Sequence, residues 1–405
     1  MIKNIVIVCS DTEVTNGAVQ VAVEQAALLA EKGLNVYYFA GSGEPVQKVD
    51  ERLKNSPNIK VISLGYWPTK HNPSRLQAIL IGMYNFHAAR ELRRLLSTLD
   101  RSETVIHFHS WSQVLSHSVL KTAVKMKFKT FITLHDYRLA CPNTFLFNNT
   151  AMEICELKPM SLRCLMCNCD MRHYSHKIWR YIIAVLQNFS LPEFTNGQGD
   201  IGYIFISEFS RKQLLRRIKA HRNQFLVKNP IYFRNRFRVN AENNSNFLFI
   251  GRLSEEKGIR NFCEAIHNTK VKGVVIGEGF LKRELEAKYP EIEFTGWQNK
   301  EQIHEHIKEA RCLIFTSIWY EASPLTPLEV NAYGIPVIAS DCSAASDNAS
   351  FIYHSQKELE DLIIQVNTQD IKQLSIDTFN NFDESSTINY ADNLLKVYNT
   401  PLMTE

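Results

Sequence analysis

Short apolar runs alternate with longer amphipathic stretches along almost all of this 405-residue chain, and that rhythm limits what it can fold into more than any other feature. A strand over residues 4–9 leads through a polar loop at Asn16-Gly17 into an apolar-periodic helix over about 18–32, which Gly33 stops before a strand over 35–39. This is a βαβ opening. Further apolar runs at 61–64, 105–108, 130–134 and 201–206 extend it into a parallel sheet, and a second series begins at Asn246 with strands over 247–250, 273–276 and 291–294 and continues to Ile338. The pattern predicts an α/β chain of two Rossmann-like parallel-sheet domains, 1–230 and 246–380. A linker over 231–245 separates them, and a helix within 381–405 returns to the first domain.

With 45% apolar and 22% charged residues the chain suits a soluble globular protein and argues against disorder, collagen or coiled coil. No basic-apolar-small leader opens the sequence, and no apolar run is long enough to span a bilayer. The expected location is the cytoplasm. Net charge hides an asymmetry: residues 1–240 carry 32 Lys+Arg against 17 Asp+Glu, the remainder 14 against 25. A basic first half facing an acidic second half suits an anionic partner on one side.

Ligands of open parallel sheets bind beyond the carboxyl ends of strands, so the residues just after each apolar run carry the functional reading. After the strand over 312–316, Glu321 and Glu329 bracket Ala322-Ser323-Pro324-Leu325-Thr326-Pro327-Leu328. Leu325 and Thr326 retain backbone N–H groups able to donate to phosphate oxygens, and Pro327 suits the first position of a helix ended by Gly334. A carboxylate at Glu329 accepting from vicinal hydroxyls is the chemistry a ribose requires. After the strand over 247–250, Gly251, Arg252 and Lys257 place two cations before a helix, where they can reach an anion.

The segments Gly251-Arg252-Leu253-Ser254-Glu255-Glu256-Lys257-Gly258, Ile276-Gly277-Glu278-Gly279, Phe294-Thr295-Gly296-Trp297 and 321–341 resemble glycosyltransferase family 4 in order and spacing. The resemblance covers essentially the whole chain. It implies the GT-B fold, with two domains facing across a cleft, and transfer of a sugar from a nucleoside-diphosphate sugar with retention of configuration. Arg252 and Lys257 would hold the donor diphosphate, Glu329 the ribose and Glu321 the donor sugar. Gly251, Gly277, Leu325 and Thr326 complete the expected donor site, and Trp297 passes near the base. In the first domain the resemblance implies that Gly17 allows close approach to the diphosphate, that His135 lies beside the transferred sugar, and that His109 and Asp136 face the acceptor.

Two departures stand out: Pro324 replaces the family's usual glycine, and Cys342-Ser343-Ala344-Ala345-Ser346-Asp347 replaces its Gly-Gly followed by Glu. No Asp-x-Asp tripeptide occurs, so turnover is expected without a divalent metal, Arg252 and Lys257 neutralising the leaving diphosphate. Two other readings share the donor half: a sugar-nucleotide epimerase of the same fold, and a non-catalytic nucleotide-sugar-binding partner of an assembly complex.

Basic amphipathic stretches at 90–94, 177–183 and 211–217 suggest an anionic membrane surface, hence a peripheral location and a glycan acceptor linked to a lipid diphosphate, as in cell-surface polysaccharide assembly. No nucleic-acid partner is expected. Five cysteines cluster between 141 and 169, and the tight Cys164-Leu165-Met166-Cys167 spacing, with Cys141 and Cys155, raises a structural zinc site.

Overall fold

The computed structural model describes residues 2–68, 71–112, 114–191, 201–218, 222–231, 236–383 and 388–403. Residues 232–235 of the expected linker and 384–387 of the expected returning segment lie outside these. The chain forms two compact units. One contains Met1–Thr144, Leu157–Pro230 and Ile388–Glu405, the other Phe145–Glu156 and Ile231–Thr387.

The first unit is built on β1 (Asn4–Cys9), β2 (Asn35–Ala40), β3 (Ile59–Ser63), β4 (Thr104–Phe108) and β5 (Lys129–Thr133). After a small hairpin of β6 (Phe147–Asn148) and β7 (Glu153–Ile154) in the second unit, β8 (Ile201–Phe205) and β9 (Gln224–Leu226) complete its sheet. The order is β3-β2-β1-β4-β5-β8-β9 with every pairing parallel. Ile5 to Cys9 of β1 are all fully buried, because helices cover both faces of a parallel sheet; that is why its strands read as continuous apolar runs.

One of those helices, Gly17–Glu31, starts at Asn16, whose side-chain oxygen accepts from the amides of Ala18 and Val19. Against it packs the late helix Tyr390–Asn399, with Leu394 and Tyr398 fully buried in the same core as Val19, Ala22 and Ala26. Lys129 Nζ donates to the carbonyls of Tyr398 (2.6 Å) and Thr400 (2.7 Å), satisfying acceptors that this helix end leaves open.

The second unit carries β10 (Asn246–Ile250), β11 (Lys272–Ile276), β12 (Glu293–Gly296), β13 (Ala310–Phe315), β14 (Val337–Ser340) and β15 (Phe351–Tyr353). Their order is β12-β11-β10-β13-β14-β15, again parallel throughout. In both sheets the order reverses beside the first strand, between β1 and β4 and between β10 and β13. Each reversal opens a crevice past the strands' carboxyl ends.

The helix after Glu321 begins at Leu325 rather than at Pro327 and runs to Asn331. Pro327 fits its third position because the first four amides of a helix have no partner within it, so a missing N–H there costs no bond. Glu329 therefore sits in the second turn.

Candidate functional site

The chemistry of the second unit gathers at the carboxyl ends of β10, β11 and β13. Two loops meet there backbone to backbone. Leu253 N donates to Glu278 O (3.0 Å), and Gly277 adopts φ +144°, where a Cβ would fall 1.9 Å from Gly251 O. Glycine is thus required at 277, whereas a Cβ on Gly251 would make only an ordinary contact with Phe249. Gly258 is equally constrained, by a left-handed φ of +65° and by Thr316 O. These approaches hold the Arg252–Lys257 segment against the end of β13, where Thr316 Oγ1 donates to Lys257 O (3.0 Å) and Ile318 N to Glu256 O (3.1 Å).

Around this frame the charges are opposed. Lys257 Nζ donates to Glu321 Oε1, an oxygen that also accepts from Trp319 Nε1 (2.7 Å) and Ser317 Oγ (3.0 Å). The ammonium lies 5.5 Å from the centre of the Trp319 ring, and the Phe145 ring packs against that ring, tilted by 31°, with 4.7 Å between centres. Burial pushes the Glu321 carboxyl up, but Lys257's charge and the three donors outweigh it, leaving it below the usual carboxylate range. It is an anion with its charge fixed in place. Arg252 donates to Glu256, which is 3% exposed and accepts also from Ser254 Oγ (2.7 Å), while the guanidinium itself stays half-exposed.

The stretch that departs from the family pattern adjoins this cluster: Ser343 bridges to Glu321, Ala344 N donates to Glu321 O (3.1 Å), and Cys342 Sγ donates to Ser317 O (3.0 Å). Leu325 and Thr326 open the following helix, which has no side-chain cap, and Glu329 is half-buried on it. Trp297, past β12, is 73% exposed. Trp319, Ser317, Ser254 and Glu256 belong to the cluster although the sequence reading did not single them out. The one available signal was position, since each lies within five residues of Arg252 or Glu321.

In the first unit, β4 and β5 end side by side and bring three histidines together. His107 and His109 stack at 4.4 Å between ring centres, and His109 Nδ1 lies 2.9 Å from His135 Nε2. His107 is wholly buried: its Nε2 meets Thr133 Oγ1 (2.7 Å), and its Nδ1 meets Tyr398 OH (2.5 Å) and Gln25 Nε2 (2.8 Å). Gln25 in turn accepts from Tyr390 OH (2.9 Å). Burial pulls all three imidazoles down, His107 to about 3, His135 to about 4 and His109 well below its ordinary value, so all are neutral near pH 7.

His109 Nε2 is buried without a partner. An orphaned buried N–H is costlier than an orphaned lone pair, which assigns the proton to His109 Nδ1, donating to His135 Nε2. His135 is then left with its proton on Nδ1. Asp136 is turned to its own loop, accepting from Arg138 N (2.9 Å), and Gly17 is exposed at the start of its helix.

The cysteine expectation needs correction. Cys155 falls in the second unit and Cys141, Cys164 and Cys167 in the first, and among the described residues no group of three or more His, Cys, Asp or Glu is arranged to hold an ion. What Cys164 and Cys169 face instead is the buried ammonium of Lys177, 3.7 and 3.6 Å from their sulfurs. The sequence spacing placed thiols together but gave no hint of the lysine between them.

Residues 233–366 match the family model of glycosyl transferases group 1. An uncharacterised 42.6 kDa protein of a Klebsiella pneumoniae cps region is 26% identical over 283 residues, 67% of this chain and 67% of that protein. The lipopolysaccharide 1,6-galactosyltransferase of Salmonella typhimurium is 29% identical over 154 residues, 35% of this chain and 43% of the enzyme. Among solved structures, sucrose-phosphate synthase from Thermosynechococcus elongatus superposes with a TM-score of 0.69 at 15% identity, covering 98% of each chain. Anabaena HepE in complex with UDP-glucose superposes with a TM-score of 0.62 at 13% identity, covering 97% of this chain and 99% of HepE. The two parallel sheets match those of GT-B glycosyltransferase structures, and the match to the group 1 model falls on the second of them.

Proposed function

We propose that the chain is a retaining glycosyltransferase of family 4 that moves a sugar from a nucleoside-diphosphate sugar to a hydroxyl of a glycan acceptor, carried on a lipid diphosphate, in the assembly of a cell-surface polysaccharide. The observation that supports it best is the cluster of Arg252, Lys257 and Glu321 at the ends of β10 and β13, inside the segment that matches the family model. A similarity to an enzyme named for lipopolysaccharide supports the choice of acceptor class.

In this reading Arg252 and Lys257 neutralise the donor diphosphate, with the amides of Leu325 and Thr326 adding hydrogen bonds, while Glu329 accepts from the ribose and Glu321 from the donor sugar. The bond from the sugar's anomeric carbon to the diphosphate oxygen breaks, and the acceptor oxygen bonds to that carbon on the face being vacated. Its proton passes to the leaving phosphate, so no protein base is obligatory. Neutral His135 then positions the sugar through its Nδ1–H, and no divalent metal takes part.

The test is a panel of nucleotide sugars incubated with and without a membrane extract. Acceptor-dependent release of nucleoside diphosphate, unaffected by a chelator, is expected. Appearance of a new sugar nucleotide would instead indicate epimerisation, binding without turnover a carrier of the donor, and loss of activity in chelator restored by magnesium would refute the metal-free mechanism.

A further inference from the structure

We propose that the face of the first unit formed by the helices Arg75–Met83 and Tyr174–Ser190 docks on an anionic lipid bilayer by inserting apolar side chains. The two helices abut: a Cβ at Gly82 would lie 2.6 Å from the Trp179 ring. On the longer one Ile182, Val185, Leu186 and Phe189 follow each other at helical spacing and are all exposed, Phe189 at 89%. On its neighbour Leu76, Ile79 and Leu80 are exposed as well, Leu76 at 67%. Seven large apolar side chains open to solvent on adjoining helices form a patch of the kind that marks an interaction site.

Charge decides what covers it. Neither helix contains an Asp or Glu. From 157 to 191 the single acid is Asp170, which is buried and paired with His176, while Arg163 and Arg172 are exposed beside exposed Leu162, Met166 and Met171. Arg75 is exposed in the first turn of the shorter helix. An apolar stripe with cations and no anions fits the boundary between acyl chains and anionic headgroups. A second copy fits poorly, because a two-fold contact would press this cationic surface against itself.

The cations expected from sequence to make this contact do not all do so. Lys177 is buried against cysteine sulfurs, and Arg180 is turned inward to Asn143. Apolar insertion, with Arg75, Arg163 and Arg172 adding attraction, is the mode the geometry supports. No helix among the described residues is long and apolar enough to cross a membrane.

The experiment is flotation of the full chain with vesicles of phosphatidylcholine alone or mixed with phosphatidylglycerol. It is independent of the glycosyl-transfer reading, since it needs neither donor nor turnover. Binding to the anionic vesicles is expected, weakened by salt, and Val185→Glu with Phe189→Glu should lower the apparent affinity by about tenfold or more at unchanged thermal stability. Arg163→Glu with Arg172→Glu should erase the preference for anionic vesicles. Equal binding to both vesicle types by the natural chain, equal binding by the Val185→Glu, Phe189→Glu variant, or no vesicle binding together with a dimer that this variant dissociates would each overturn the proposal.

Discussion

Replacing Lys257 by Met removes the ammonium facing Glu321 while keeping most of the stem beside Trp319. The Lys257 and Glu321 side chains are 23% and 15% exposed, so solvent screens the pair only in part. Removing one partner of a buried pair costs about 3–5 kcal/mol because the other charge is left uncompensated. Here the Trp319 and Ser317 donors remain on Glu321 Oε1, which brings the expected loss to about 2–3 kcal/mol. Glu321→Gln relieves the stranded charge, so the double variant should be less damaged than the sum of the singles, with a coupling of about 1–2 kcal/mol.

Acid supplies a second signature. A carboxyl held below its unfolded value stabilises the fold above that value and loses the contribution as pH falls through its folded one. In Lys257→Met that contribution is gone, so its deficit against the natural chain is largest near pH 7 and shrinks in acid. Hydrogen exchange of the β10 and β13 amides in urea reads the stability of the second unit separately from the first. A coupling below about 0.5 kcal/mol, or a deficit that stays constant with pH, would refute the reasoning.

Gly277→Ala places a Cβ against Gly251 O at a φ that disfavours side chains, and we expect a loss of more than about 2 kcal/mol in thermal unfolding of the second unit. Gly251→Ala serves as the mild control. Tyr398→Phe removes the hydroxyl from His107 and Gln25 and should cost the first unit about 1–3 kcal/mol in urea unfolding; no change would mean that buried polar chain contributes nothing. His107 stays neutral down to about pH 3 in the fold but takes a proton near its ordinary value once unfolded. Stability should therefore fall as pH drops below about 6.5, by at most about 1.4 kcal/mol per unit for this group, and His107→Gln should flatten that slope.

The long strands were legible because parallel sheets bury both faces: β1 is apolar from Ile5 to Cys9 and β13 from Cys312 to Phe315. The short edge strands β9 and β15 were not. Leu226 and Ile352 are exposed, so neither three-residue segment shows a period. At the site, Arg252, Lys257 and Glu321 were marked by their places just past strands. Their partners were not, because the Lys257–Glu321 contact spans 64 residues and the His107–Tyr398 contact 291, distances over which local pattern carries no information. The cysteine spacing misled for a related reason: proximity along the chain does not reveal that Lys177, from the next helix, takes the space between Cys164 and Cys169.

The helix Tyr390–Asn399 has a consequence for the order of events on the ribosome. The first sheet is translated by residue 226, yet the hydroxyl that meets His107 and the side chains that close its core over Val19 and Ala26 emerge only after the whole second sheet has been made. The nascent chain must therefore carry an unfinished first unit through the synthesis of about 170 further residues, reversing the usual succession in which the earlier domain is completed first.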